Sequence, residues 1–546
     1  MKNVTYINAS AGSGKTYRLT HKLAELIKAG KVRPDQVIMT TFTVKAANEM
    51  KEEAKKVLYE NGLFDEATQL DQAMIGTIHS VANSLIKKYW FFLGLSPDMG
   101  VMAEEDTAFY ISQSLSDLPT HDELKQLHAF CESMGIQFGY MSGQSGLNYD
   151  YWKKDIEKVI SYTTNYEIED YGRSVKESLD FIRQFVNPDV SINYTEVELK
   201  AVLDEHKAFL ESQKDSVENQ KRLKIMLQLR RGIRHPNIDW YKRLADVLNK
   251  LKKCGPLAGK MREKLTGLWH SQMVYDEQEK YIKLLFTLAE RWKERFRTFK
   301  KERNLLDYDD MEKYLRDLLT NKELATEISM GYRYLFVDEY QDCSPIQVKI
   351  FDRLSELMEH SYWVGDYKQA IYGFRGSDIT LTKSVVDRIS TKTNGCDTET
   401  LNTSYRSLPD IVDVCNETFK RTFAGVLKEN AIVLNKHRTN DENIKSVRYW
   451  NMRGQESPGL AYHIAYLVQQ GVKPNDIAVL GRTNEPLNKL AGVLTDTFEI
   501  PANREDLHVL DMKAAPLILA MLALVSSESD FLAKAEIAIL TEECRG

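Results

Sequence analysis

Apolar positions along this chain follow two rhythms, and their order predicts an α/β fold interrupted by helices. Val4-Thr5-Tyr6-Ile7 is a short β-branched and aromatic run of the kind that forms a buried strand. Leu19, Leu23, Leu26 and Ile27 then recur at the spacing of one helix face, which predicts a helix over 17–27. "VIMTTFTVKAANEM" (37–50) reads as a buried strand, a polar turn and a helix. "IGTIHS" (75–80) reads as a short strand ending in Thr77, His79 and Ser80. From about 86 to 300 the pattern is helical and rich in Lys, Glu, Leu and Tyr. Strand signals return in "RYLFV" (333–337) and "SYWVGD" (361–366), and 509–546 reads as helices. The organisation predicted is an α/β core carrying a helical insertion of about 200 residues, a size ordinary for one domain.

Polar residues at the strand ends carry the chemistry. Between the first strand and first helix lies Ala9-Ser10-Ala11-Gly12-Ser13-Gly14-Lys15-Thr16. Small residues let successive backbone N–H groups point into the turn, and the helix N-terminus adds positive potential where a polyphosphate would sit. In this P-loop pattern Lys15 reaches the β/γ-phosphates and the Thr16 hydroxyl ligates Mg²⁺. The pattern's first glycine is Ala9 here, which is tolerable if that residue keeps φ negative. The apolar strand at 333–337 runs straight into Asp338-Glu339. Two carboxylates at a strand's C-terminal end stand where ligands of open α/β sheets bind. Asp338 is expected to hold Mg²⁺ through water and Glu339 to orient and deprotonate an attacking water. Lys15, Thr16, Asp338 and Glu339 together point to hydrolysis of ATP or GTP.

Composition narrows the class. At 546 residues, 43% hydrophobic and 28% charged, the chain reads as a globular protein of several domains. It has no apolar run of the ~20 residues that cross a bilayer and no signal-peptide core at its start, so no membrane partner is expected. Cys131, Cys254, Cys343, Cys396, Cys415 and Cys544 are scattered without a CxxC pair. That pattern fits reduced thiols in the cytoplasm and argues against a zinc or iron–sulfur site. Net charge is −6, but Lys221–Lys264 holds fourteen Lys/Arg against three acids, +11 there against −17 elsewhere. So one-sided a run favours a phosphate-facing surface, with Arg230, Arg231, Arg234, Lys252 and Lys253 as candidate contacts. The competing reading is that the run pairs with acidic helices of the same insertion.

"ASAGSGKT", "TTFTVKAANEM", "GTIHS", "LLDYDDM" (305–311), "LFVDEYQDCSPIQ", "VGDYKQAIYGFRGSD" and "LNTSYRS" (401–407) stand in the order found in superfamily 1 DNA helicases. The chain resembles the UvrD/Rep group of that superfamily, and the "ASAGSGKT" wording with the long insertion leans toward RecB/AddA-like members. The resemblance implies two RecA-like lobes. The first lobe is expected at 1–85 plus 301–390, with a helical, DNA-contacting insertion at 86–300, and a partial second lobe at 391–546. "DIAVLGRTNEPLNKL" (476–490) is similar to the next strand of such a lobe.

The resemblance also implies roles. Gln369 corresponds to a γ-phosphate sensor, Arg406 to an arginine finger and Tyr405 to the residue packed on the adenine ring. Phe42, Tyr372 and Phe374 correspond to aromatics that stack on single-stranded bases, with Thr43, Thr77 and His79 as neighbouring DNA contacts. ATP and Mg²⁺ are the implied cofactors, and single-stranded or partly duplex DNA the implied partner. A nuclease or recombination subunit is a further partner candidate. Two later motifs of the family are not found before Gly546, and no segment resembles a nuclease domain; the resemblance is to a C-terminally truncated member. Two functions stay open: a helicase or translocase moving 3′ to 5′ in DNA repair or recombination, and an ATP-gated DNA-sensing subunit that regulates a partner nuclease, as in phage defence.

Overall fold

Central strands of a parallel sheet are covered on both faces, so they read as unbroken apolar runs. The computed structural model follows that rule. It describes residues 4–102, 104–138, 146–212, 216–249, 255–371, 373, 379–391, 397–425, 427, 432–439, 446–451, 456–502, 514–526 and 531–543. In chain order the strands are β1 (Val4–Ala9), β2 (Val37–Thr41), β3 (Met74–Thr77), β4 (Gly100–Val101), β5 (Leu305–Leu306), β6 (Tyr334–Val337), β7 (His360–Gly365), β8 (Asp397–Leu401), β9 (Thr403–Ser404) and β10 (Asn435–Lys436). Six of them form one parallel sheet in the order β3-β2-β6-β7-β1-β8. All residues of β2 and β6 are buried, as their apolar runs require.

The chain folds as two compact units, residues 1–444 and 445–546. In the first, helices Lys15–Lys28 and Val44–Glu60 cover one face of the sheet through Leu19, Leu23, Met50 and Leu58. Helices Ile78–Tyr89, Tyr308–Thr320 and Pro345–Leu357 cover the other through Leu85, Leu315 and Phe351. The second unit contains helices Glu456–Gln469 and Asn484–Phe498, packed through Ala461, Ile464, Leu490 and Leu494. No helix among the described residues is long and apolar enough to cross a membrane.

Within the first unit, the insertion leaves and rejoins the sheet-bearing part at one place. β4 pairs in parallel with β5, at its exit and its return. Between them lie two helical cores, one around Trp152, Leu288 and Trp292, the other around Leu203, Leu229 and Leu244. Trp240 and Tyr241, which sit inside the basic run, belong to that second core and are buried; the Trp240 indole donates to the Leu229 carbonyl at 2.8 Å.

Three expectations change. Strand β3 stops at Thr77, because the Thr77 hydroxyl accepts the Ser80 amide (3.2 Å) and starts a helix there. His79 and Ser80 are thus helical, not strand-end, residues. The sheet also continues past the boundary expected near 390, since β8 pairs with β1. Finally, 476–490 forms no ladder among the described residues. Ile477 is extended and Leu480 is 95% exposed, but no strand among the described residues lies alongside to take their backbone groups.

The return from the insertion is fixed by a buried charge cluster. Lys300 is buried, and its Nζ meets Asp307 Oδ2 at 2.5 Å and Asp310 Oδ2 at 2.6 Å. Burial works against its charge, yet the two carboxylates outweigh that and raise its pKa. Lys300→Ala would leave two carboxylates buried without their cation. We expect a loss of about 3 kcal/mol in urea denaturation; a change below about 1 kcal/mol, the range of surface pairs, would contradict the assignment.

Candidate active site and adjoining cleft

Because the sheet is parallel, the C-terminal ends of all six strands share one edge. The glycine-rich turn leaves β1 there. Gly12 and Gly14 take positive φ, +71° and +86°. At Gly12 a side chain is also sterically barred: a Cβ would lie 2.7 Å from Arg406 Cβ. Ala9 ends β1 outside the left-handed region, which explains why alanine serves where the pattern has glycine. Gly14 offers the helix Lys15–Lys28 no side-chain cap, so the helix's first amides face the turn.

Lys15 reaches across to the carboxylate 324 positions away. Its Nζ donates to Glu339 Oε1 at 2.9 Å and Oε2 at 2.7 Å. Glu339 itself is left-handed, φ +51°, an uncommon conformation for a non-glycine residue and one that clusters at functional sites. It is held by Gln341, whose Nε2 donates to Glu339 Oε2 (2.8 Å) and Asp342 Oδ2 (3.0 Å) while its Oε1 accepts the Asp366 amide (2.9 Å). Burial, followed by the charge of Glu339, pushes Asp338 up to about 6, with Lys15 opposing. Asp342 is raised to about 6 for the same leading reasons.

β7 contributes a second set. Asp366 Oδ1 pairs with buried Lys368 (2.8 Å), whose Nζ also donates to Ser10 Oγ (3.1 Å). Gln369 turns its amide onto Asp366 Oδ2 (2.7 Å). Just after β9, the Tyr405 amide donates to the Gly12 carbonyl (2.9 Å), and the exposed Tyr405 ring leans on His437 at 4.6 Å. Arg406 is next, its carbonyl accepting from Arg438 at 2.8 Å. Gln341, Asp366 and Lys368 stand in "LFVDEYQDCSPIQ" and "VGDYKQAIYGFRGSD", but the sequence reading gives none of them a role at the site. The signal for them is their place in those motifs, at the ends of two apolar strands.

A polyphosphate and a divalent ion fit this arrangement. The uncapped helix supplies amides, Ser13 Oγ is buried without a partner, and Asp338 is a carboxylate whose buried charge is poorly compensated. Thr16 is exposed at the same helix start. Phosphate oxygens and water complete such Mg²⁺ shells, so few protein ligands are needed.

A cavity of about 400 Å³ opens beside Asp338 and Glu339, and Phe42, Thr77 and His79 line it too. Of the DNA-contact candidates, Thr43 and Thr77 have a local duty: each caps the helix that follows it, through the amides of Ala46 and Ser80. Tyr372 and Phe374, like Lys252 and Lys253, lie outside the described residues. Arg230 pairs with Asp204, which realises part of the intramolecular reading of the basic run, while Arg231 and Arg234 are exposed.

Residues 1–389 match the family model described as UvrD/REP helicase N-terminal domain, and residues 400–543 match the UvrD-like helicase C-terminal domain. Among similar proteins is the exonuclease/helicase subunit RexA of Lactococcus lactis subsp. cremoris (strain MG1363). It is 24% identical over 95% of this chain and 49% of its own length. Proteins from Staphylococcus aureus (strain MRSA252) and Clostridium novyi (strain NT), each named as one subunit of an ATP-dependent helicase/nuclease, are also 24% identical. They cover 93% and 78% of this chain and 44% and 38% of their own lengths. The chain thus spans about half, or less, of the length of these curated relatives.

The raised Asp338 makes a testable statement about stability. The folded chain holds that proton more tightly than the unfolded chain, so this group's contribution is full below its ordinary 3.8 and is lost as pH rises through about 6. Asp338→Asn, which cannot ionise, should raise nucleotide-free stability at pH 7–8 by roughly 1–3 kcal/mol. The gain should vanish toward pH 4. Thermal denaturation across that range checks it, and a pH-independent effect would refute the assignment.

Proposed function

The chain belongs to the UvrD/REP helicase family, and from that premise we propose that it is an ATP-hydrolysing motor that moves along single-stranded DNA, 3′ to 5′, in repair or recombination. The observation that carries this reading is the shared cleft: Asp338 and Glu339 line the same cavity as Phe42, Thr77 and His79. Hydrolysis beside the carboxylates can therefore be felt at the candidate DNA contacts without a long relay.

In this reading ATP supplies the free energy through transfer of its terminal phosphoryl group to water. Lys15 and the amides of residues 12–16 bind the phosphates, and Thr16 and Asp338 hold Mg²⁺. Glu339 takes the proton of the attacking water, once Lys15 has left it for the phosphates. Gln369 senses the terminal phosphate, and Arg406 stabilises charge on the transferring group. Tyr405, whose ring is exposed beside the turn, stacks on the base. Phe42, Tyr372 and Phe374 stack on DNA bases, a contact tolerant of sequence. The names of the relatives further suggest a nuclease working with this chain. A DNA-sensing ATPase that controls such a nuclease uses the same residues and differs in whether strands separate.

Two experiments decide between chemistry and binding. Glu339→Gln should retain ATP binding but lower hydrolysis at least ~100-fold, the contribution expected of a positioned base, whereas Lys15→Ala should weaken ATP binding as well. Near-normal turnover in Glu339→Gln, measured by phosphate release, would sink the assignment. For the insertion, Ala at Arg231 and Arg234 should lower affinity for duplex-containing DNA. It should also flatten the salt dependence by ~0.7–0.9 log units per log[salt] for each phosphate no longer bound. Anisotropy titrations between low and moderate salt check this; an unchanged slope would assign the basic run to intramolecular pairing.

A further inference from the structure

Glu312 lies in the helix Tyr308–Thr320, buried, with a carboxylate that none of the hydrolytic roles uses. A buried carboxylate is tolerated where its oxygens are bonded, and here one oxygen takes two donors. Glu312 Oε1 accepts from His79 Nε2 at 3.0 Å and from Gln347 Nε2 at 2.6 Å. An ionised carboxylate only accepts, so the His79 proton sits on Nε2.

Each donor belongs to a different helix, His79 to Ile78–Tyr89 and Gln347 to Pro345–Leu357. The His79 ring lies flat on Tyr308, 4.3 Å between centroids, in the helix that starts at the end of β3. Gln347 faces the other way: its Oε1 accepts the Ser344 amide at 3.1 Å, and the Ser344 hydroxyl accepts the Gln347 amide at 3.4 Å. That reciprocal cap fixes the start of the helix Pro345–Leu357, directly after the segment carrying Asp338, Glu339 and Asp342. All of these side chains line the same cavity.

We propose that Glu312 is a positioning residue that couples DNA engagement at His79 to the placement of the 338–342 turn, so that DNA accelerates hydrolysis through it. This rests on the reading that His79 faces DNA. The mechanism is competition for one oxygen. Both donors draw on the charge of the same oxygen, so drawing His79 toward a DNA phosphate or base strengthens the bond to Gln347 and tightens the cap at Ser344. The turn bearing Glu339 is continuous with that cap.

The test uses the full chain, an oligo-dT single strand, and three variants. Wild type should bind the oligonucleotide in anisotropy and hydrolyse ATP faster in its presence. Glu312→Ala should cut the ratio of stimulated to basal rate at least tenfold, with the half-saturating DNA concentration moving less than threefold. Gln347→Glu keeps an acceptor for the Ser344 amide but loses the donor to Glu312; it should lower the ratio in the same way, and it serves if Glu312→Ala does not fold. Glu312→Gln, whose carbonyl oxygen accepts both donors, should keep at least half of the stimulation. An unchanged ratio in Glu312→Ala or Gln347→Glu overturns the proposal, as does a loss wholly explained by weaker DNA binding. A wild type that neither binds nor responds to the oligonucleotide overturns the DNA reading itself, and this proposal with it.

Discussion

Everything at this site depends on one topological constraint: β1 runs in parallel between β7 and β8, in a sheet whose strands all end at the same edge. Hydrogen-bond register along these ladders sets Asn8 beside Gly365 and Ala9 beside Leu401. The turn after β1 must then lie against the segments that leave β7 and β8. Hence Ser10 meets Lys368 and Gly12 meets Arg406, groups that chain entropy would otherwise keep far apart. Burial in the sheet's core offsets the cost of this convergence, with Trp363 and Phe336 fully enclosed behind the site.

At that edge the local energetics are unfavourable, and chemistry explains why. Asp338, Glu339 and Asp342 crowd three carboxylates into a few residues, and burial pushes two of them well above their usual range. Glu339 adds a left-handed backbone. Lys15 is the cation that offsets this crowding, held to Glu339 by both carboxylate oxygens. Without nucleotide, the carboxylate proposed as general base is occupied by Lys15. On the proposed mechanism, a more strongly negative ligand at the turn would compete for Lys15 and leave Glu339 able to accept a proton.

Much of this is legible in the sequence because it is local. Val4–Ala9 and Tyr334–Val337 announce themselves as apolar runs, and the residues after them give the turn and the carboxylates. What stays hidden depends on tertiary pairing. Gln341 in "DEYQD" looks like any polar loop residue until Asp366 arrives from β7 to meet its oxygen. Glu312 is one acid among several on its helix, and only packing brings His79 and Gln347 onto it. His79 reads as a strand end because a capping threonine at 77 is indistinguishable by alternation from a strand residue. The strand expected at 476–490 has the right apolar run, but a ladder needs a neighbour, which a run cannot supply.

The central claim is that Lys15 trades Glu339 for phosphate. It is tested most directly by a crystal structure of the chain with Mg²⁺ and a non-hydrolysable ATP analogue. Triphosphate density is expected in the turn at residues 9–16, with Lys15 Nζ within hydrogen-bond distance of phosphate oxygens and Glu339 released toward a water. An analogue bound elsewhere, or Lys15 still paired with Glu339 beside bound triphosphate, would contradict it.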